Sequence, residues 1–129
     1  MAGTGWQPEL DELERRAELA RRMGGEEKVA KHHAQGRLTV RERIDAVLDK
    51  GSFHEIGALT GRASYDDDGN VVDVTPANCV MGRGRVDGRP IVVVGDDFTV
   101  RGGAADAAIF QQQVHAERMA HQLRIPLVR

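Results

Sequence analysis

The sequence predicts an α/β fold in which a βαβ crossover breaks off at its last strand. Three observations carry that reading. Asp87-Gly88 separates two β-rich runs, Asn78–Val86 and Arg89–Val94. Such a pair marks a hairpin, because both central turn residues take positive φ. Ile91-Val92-Val93-Val94 is apolar at each position, the pattern of a strand covered on both faces. From Gly102-Gly103 a helical rhythm runs through Ala105, Ala108, Ile109, Gln112, Ala116, Met119, Ala120 and Leu123, and Ile125-Pro126-Leu127-Val128 then opens a new strand. Strand, glycine-rich turn, helix and strand make up a crossover between parallel strands.

Composition fits one globular unit. The chain has 129 residues, 40% hydrophobic and 29% charged, which is about one domain and too apolar for wholesale disorder. Aromatics make up only 4%, so the core is expected to be built from Val, Ile, Leu and Ala. A formal net charge of −2 gives no electrostatic reason for nucleic acid or an anionic membrane as partner. No apolar run reaches the roughly 18 residues of a membrane span. The opening MAGTGWQPELDELERR has no basic stretch followed by an apolar one, so no secretory signal is visible. Cys79 is the single cysteine, which excludes an internal disulfide and a thiolate metal cluster. The expectation is a cytoplasmic protein.

The elements follow in order. Residues 8–23 predict a surface helix, with Leu10, Leu13, Ala17 and Ala20 on one narrow stripe and Gly24-Gly25 as its stop. So thin and Ala-rich a stripe suits a helix lying on a partner surface. Thr39-Val40-Arg41-Glu42 has the form of a capping box, in which hydroxyl and carboxylate each satisfy a free backbone N–H of the other. Val40, Ile44, Val47 and Leu48 recur behind it, predicting a helix over 40–49 that stops at Lys50-Gly51. Ser52–Ile56 is expected to be extended. Residues 62–73, with three aspartates in a row, predict an exposed, mobile loop. Gly82-Arg83-Gly84 belongs to a strand of small residues and is no dinucleotide fingerprint, since no helix follows it. Cys79 in that strand suits a small apolar filler. The chain divides into a helical arm, 1–50, and a second part, 51–129, that begins a larger α/β domain.

Two stretches resemble a known family. The first is Lys31-His32-His33-Ala34-Gln35-Gly36-Arg37-Leu38-Thr39-Val40-Arg41-Glu42-Arg43-Ile44, continuing into Leu48-Asp49 and Gly51-Ser52-Phe53-His54-Glu55. The second is Gly82–Gly103, with Asp97-Phe98-Thr99-Val100 ahead of a Gly-Gly turn, followed by His115-Ala116-Glu117-Arg118 and Ile125–Val128. Together they resemble the N-terminal portion of the carboxyltransferase (β) subunits of biotin-dependent acyl-CoA carboxylases, of the propionyl-CoA and methylcrotonyl-CoA type. The resemblance implies a crotonase-like fold of the ClpP/crotonase superfamily, a spiral of ββα units, incomplete here and preceded by N-terminal helices. This chain would supply roughly the first half of one of two such domains. It departs from the family at Arg101, where an aromatic or small residue is usual, and in the Asp66–Asp68 loop.

The resemblance also implies a chemistry. Biotin, carried by a partner domain or subunit, delivers a carboxyl group to the α-carbon of an acyl-CoA, and backbone N–H groups in glycine-rich turns stabilise the oxyanions. Those turns would lie after the strand that begins at Ile125, so no catalytic residue is assigned and activity of the isolated chain is not expected. The implied partners are acyl-CoA, a biotin carboxylase or biotin carboxyl carrier subunit, and further copies of the parent in a homo-oligomer.

For this chain there remains a share in the CoA pocket. Gly102-Gly103-Ala104 stands between a buried strand and a helix start, where free N–H groups favour an anion; the same glycines could simply make a tight turn. Arg101 could reach a CoA phosphate or stay a solvated charge. Arg37 could meet a phosphate or pin the arm to the next subunit through a carboxylate. His32 and His33 are adjacent, and His115 and His121 fall on different sides of a helix, so no metal pair is expected. Alongside the carboxyltransferase reading stand two others: a fragment of a crotonase-type acyl-CoA decarboxylase, which would share the enolate, and a non-catalytic module docking on a full-length carboxylase.

Overall fold

In a computed structural model of the chain, which describes residues 5–104 and 107–129, Asp87 and Gly88 both take positive φ, 49° and 77°. They close a hairpin between the two long strands, which run antiparallel from Val86 opposite Arg89 to Cys79 opposite Asp96. The elements are α1 (Gln7–Arg21), α2 (Glu26–Ala34), α3 (Val40–Val47), β1 (His54–Ile56), β2 (Gly61–Tyr65), β3 (Val71–Pro76), β4 (Cys79–Val86), β5 (Arg89–Asp96), a 3₁₀ turn (Arg101–Gly103), α4 (Ala107–Leu123) and β6 (Leu127–Val128). The main sheet has the order β1-β4-β5-β6. β6 pairs parallel to β5, with Val92 opposite Leu127, so β5, α4 and β6 form the crossover that the sequence predicts.

Both faces of this sheet are covered. Cys79, Met81, Val92 and Val94 pack with Ala116 and Ala120 of α4. Val80, Ile91 and Val93 pack on the opposite face with Val40, Ile44 and Leu48. Alternate residues of β5 therefore serve two different layers, which is why that strand is apolar throughout. Burial of each such aliphatic side chain contributes about 1.5–3 kcal/mol. In β4, Gly82 is small for a local reason: a Cβ there would overlap the His54 carbonyl of β1.

The helix predicted over 40–49 is α3, and its capping box is complete. Glu42 N–H donates to Thr39 Oγ1 at 3.3 Å, and Thr39 N–H donates to Glu42 Oε2 at 2.7 Å. α3 is one of the layers over the sheet, so residues on both sides of position 50 share one packed cluster. Arg41 fixes the layer further through two bonds to Glu55 at 2.8 and 2.9 Å, both side chains being largely covered.

Two expectations are corrected. Residues 62–73 are not a loose loop but most of the β2–β3 hairpin, a separate two-stranded sheet. Its turn is organised by Asp66, whose Oδ1 accepts the N–H groups of Asp68 and Asn70 at 3.0 and 2.8 Å. Bonds from the Asn70 side chain, then from its backbone, hold the Asp66 carboxyl below its ordinary range. The stripe of the first helix is also different. Leu10 and Leu13 are 55% and 50% exposed, while Leu19 and Ala20 are buried against Val71 and Val74 of β3. The helix is thus anchored on its own chain through its last turn. Between α1 and α3 the structure adds α2, closed by Gly36 at φ 71°, where Gly36 N–H reaches His33 O and Arg37 N–H reaches His32 O. No helix among the described residues is long and apolar enough to cross a membrane.

Candidate functional site

Of the expected site residues, Arg101, Gly102, Gly103 and Ala104 lie in the turn that follows β5. Asp97 is buried, and its Oδ1 accepts Thr99 N–H at 2.9 Å and the Thr99 hydroxyl at 2.6 Å. Asp97 N–H donates to Asn78 O at 2.8 Å, and Asn78 Nδ2 donates to Ala104 O at 2.7 Å. Two buried polar side chains thus clamp the turn at both ends. Within it Arg101, Gly102 and Gly103 take left-handed φ of 50°, 62° and 74° in succession, a path that glycine follows without a steric cost. The Phe98 ring lies against Gly103, where a Cβ would come within 2.6 Å of it.

This geometry alters what the turn offers a ligand. Gly103 N–H donates to Val100 O at 3.0 Å and Ala104 N–H donates to Arg101 O at 3.1 Å. Two of the three backbone donors expected to face an anion are used inside the turn. α4 is described from Ala107 onward. Ala105 and Asp106 lie outside the described residues.

Arg101 is exposed and lines a cleft of about 590 Å³. Its walls come from the end of α1 (Arg22), from the first turn of α2 (Glu26 and Lys28), from β3 (Asp73 and Thr75) and from the turn itself. Sequence reasoning singled out neither Arg22 nor Lys28. Neither belongs to a recognisable motif, and only packing of the arm on β3 brings them to the same concavity as a residue more than seventy positions away. Arg37 is not among the residues lining this cleft. It is exposed in the joint between α2 and α3, with its N–H in the α2 cap.

Other titratable groups are engaged elsewhere. His33 Nε2 lies 2.9 and 3.1 Å from the two Glu42 oxygens. Burial, with the Asp96 charge adding to it, pushes the Cys79 thiol up to about 11, which removes its nucleophilic form near neutral pH. Among the described residues no three His, Cys, Asp or Glu side chains gather as metal ligands would.

Comparison with known proteins gives a consistent result. The carboxyl transferase domain family matches residues 31–129. The propionyl-CoA carboxylase beta chain of Roseobacter denitrificans is 37% identical over 122 residues, covering 92% of this chain and 23% of that one. The probable mitochondrial methylcrotonoyl-CoA carboxylase beta chain of Drosophila melanogaster is 36% identical over 106 residues, 81% of this chain and 18% of that one. Among solved structures, transcarboxylase 12S, crystallised as a hexamer assembly with methylmalonyl-coenzyme A bound, superposes with a TM-score of 0.82. It is 30% identical, over 97% of this chain and 24% of that one. The chain spans about a quarter of the length of the relatives it matches, 23% of the first.

Proposed function

This chain belongs to the carboxyl transferase domain family, and on that premise we propose that it is the opening segment of the carboxyltransferase subunit of a biotin-dependent acyl-CoA carboxylase. The parent reaction moves a carboxyl group from carboxybiotin to the α-carbon of an acyl-CoA in the cytoplasm. The observation that carries the proposal is the continuity of the match. It runs unbroken through residues 31–129, and the structure folds that same stretch into a four-stranded sheet with a helical layer on each face, together with the β2–β3 hairpin. The α/β architecture is the crotonase-like one of the matched subunits, with β4, β5 and α4 as a ββα unit.

Acyl-CoA is the substrate, and carboxybiotin is delivered to the site by a biotin carboxyl carrier that a biotin carboxylase loads. The parent works as a homo-oligomer; the hexamer assembly described for transcarboxylase 12S supports that part of the reading. The role of this segment is to build and hold one wall of the CoA site. Arg101, which lines the cleft, supports a phosphate contact. Gly102 N–H, unlike those of Gly103 and Ala104, is not spent within the turn and supports a backbone contact. Gly103 and Ala104 shape the turn. Arg37, set apart from the cleft, fits the pinning of the arm to a neighbouring subunit better than a phosphate contact.

Complementation tests this reading. A propionyl-CoA carboxylase beta chain is expressed without the segment that matches residues 9–129, alone and together with this chain. Labelled carboxyl transfer to propionyl-CoA is then measured. Neither part alone is expected to be active, and the assembled pair is expected to regain transfer. If the pair assembles and stays inactive, or if this chain binds an intact carboxylase without replacing the missing segment, the segment is a docking module and the proposal fails.

A further inference from the structure

α2 differs from the other helices in what holds it. α1 buries Leu19 and Ala20, α3 buries Val40 and Ile44, and α4 buries Gln112, Ala116 and Ala120, whereas none of the nine residues of α2 is buried. A helix of this length does not sustain itself in water. Its ends are fixed by two pins. Upstream, Gly24 N–H donates to Thr99 Oγ1 at 3.0 Å, and Thr99 is itself held by the buried Asp97. Downstream, the His33 ring meets the Glu42 carboxylate, and Glu42 is already fixed by the capping box of α3. Beside each pin lies backbone in the left-handed region: Met23 and Gly25 at φ 55° and 96°, and Gly36 at 71°. Glu26 and Lys28 in the first turn of α2 form part of the wall of the cleft that Arg101 also lines.

We propose that α2 is a hinged strap that gates this cleft, anchored at the Gly24–Thr99 bond and latched at the His33–Glu42 contact. The inference rests on packing and hydrogen bonding and is independent of the carboxyltransferase reading. The pins are unequal. Thr99 is only 4% exposed, so its bond is shielded from water. The His33 and Glu42 side chains are 45% and 44% exposed, and a contact so open to solvent is the weaker of the two. The strap therefore opens from its Gly36 end and swings on Gly24-Gly25, widening the cleft without disturbing the sheet.

Amide hydrogen exchange on the 129-residue chain tests this. Amides of residues 29–34 are expected to exchange at least about tenfold faster than those of 44–47 in α3. His33→Ala should speed exchange in α2 several-fold further. Thr99→Val should act in the same direction, and where that variant does not fold, His33→Ala decides alone. Protection of α2 equal to that of α3 would overturn the proposal. So would an α2 rate that His33→Ala leaves unchanged, or an acceleration spread evenly over α2, β4 and β5, which would report global loss of stability and not the opening of a strap.

Discussion

The carboxylate of Asp49 holds the turn at Gly88: its Oδ2 accepts Gly88 N–H at 2.8 Å while its Oδ1 accepts Asp87 N–H at 2.9 Å. One side chain just past α3 thereby satisfies both turn donors of the β4–β5 hairpin, and Asp49 N–H donates in return to Arg85 O at 2.7 Å. The helical layer and the sheet are joined by this link as well as by apolar packing. Asp49→Ala is expected to destabilise the chain by about 1–2 kcal/mol, the size of a pair of partly exposed, charge-assisted bonds. Urea unfolding measures it, and a loss under about 0.3 kcal/mol would show that the turn closes without the carboxylate.

Acid should loosen the arm first. The His33 ring, then the Thr39 backbone and hydroxyl, lower the Glu42 carboxyl from 4.5 to about 2. A carboxyl depressed by folding contributes stability that is present above its unfolded value and is lost as pH falls through its folded value. The contribution of Glu42 is therefore intact above about pH 4.5 and disappears on the way to pH 2. Glu42→Gln should flatten the pH dependence of the melting temperature in that window and leave it unchanged near pH 7 apart from a constant offset. A slope equal to that of the wild type between pH 4.5 and 2 would count against the link.

Cys79 is expected to be silent toward thiol reagents. It is 3% exposed, and its thiol is raised to about 11. Ellman's reagent at pH 8 should modify less than about a tenth of the native chain in an hour, and all of it at once in denaturant. Rapid reaction of the native chain would mean that the β4–β5–α4 layer opens readily.

Arg124 ends α4 in a conformation that suits glycine. Its φ is 54°, and the bonds from Arg124 N–H to His121 O and from Ile125 N–H to Ala120 O are those of a Schellman cap. Arg124→Gly removes the left-handed penalty of a residue with a Cβ, partly offset by the greater freedom of glycine in the unfolded chain. A gain of up to about 1 kcal/mol is expected. A loss of more than about 0.5 kcal/mol would assign the Arg124 side chain a contact that outweighs the strain.

What the sequence determined by itself was local in origin. The capping box at Thr39 and Glu42, the Asp87-Gly88 turn and the two-sided run Ile91–Val94 are each written within a few consecutive residues. Each is a pattern that only one backbone conformation satisfies. The resemblance to carboxyltransferase subunits was legible for the same reason, because its motifs are continuous in the chain. The polar stretch 62–73 misled, since within it only Val71 is buried and Ala63 partly so, and Asp66, one of the aspartates that suggest a mobile loop, in fact orders its turn. The site depended on tertiary structure. Thr99 meets Gly24 across seventy-five residues, and Arg22 and Lys28 join Arg101 at one cleft only because Leu19 and Ala20 bury themselves on β3. Whether the glycine turn frees its donors was likewise undecided in the sequence. Left-handed φ is compatible with an open nest or a closed 3₁₀ turn, and the clamp from Asn78 and Asp97 selects the closed one by holding both ends of the turn in place.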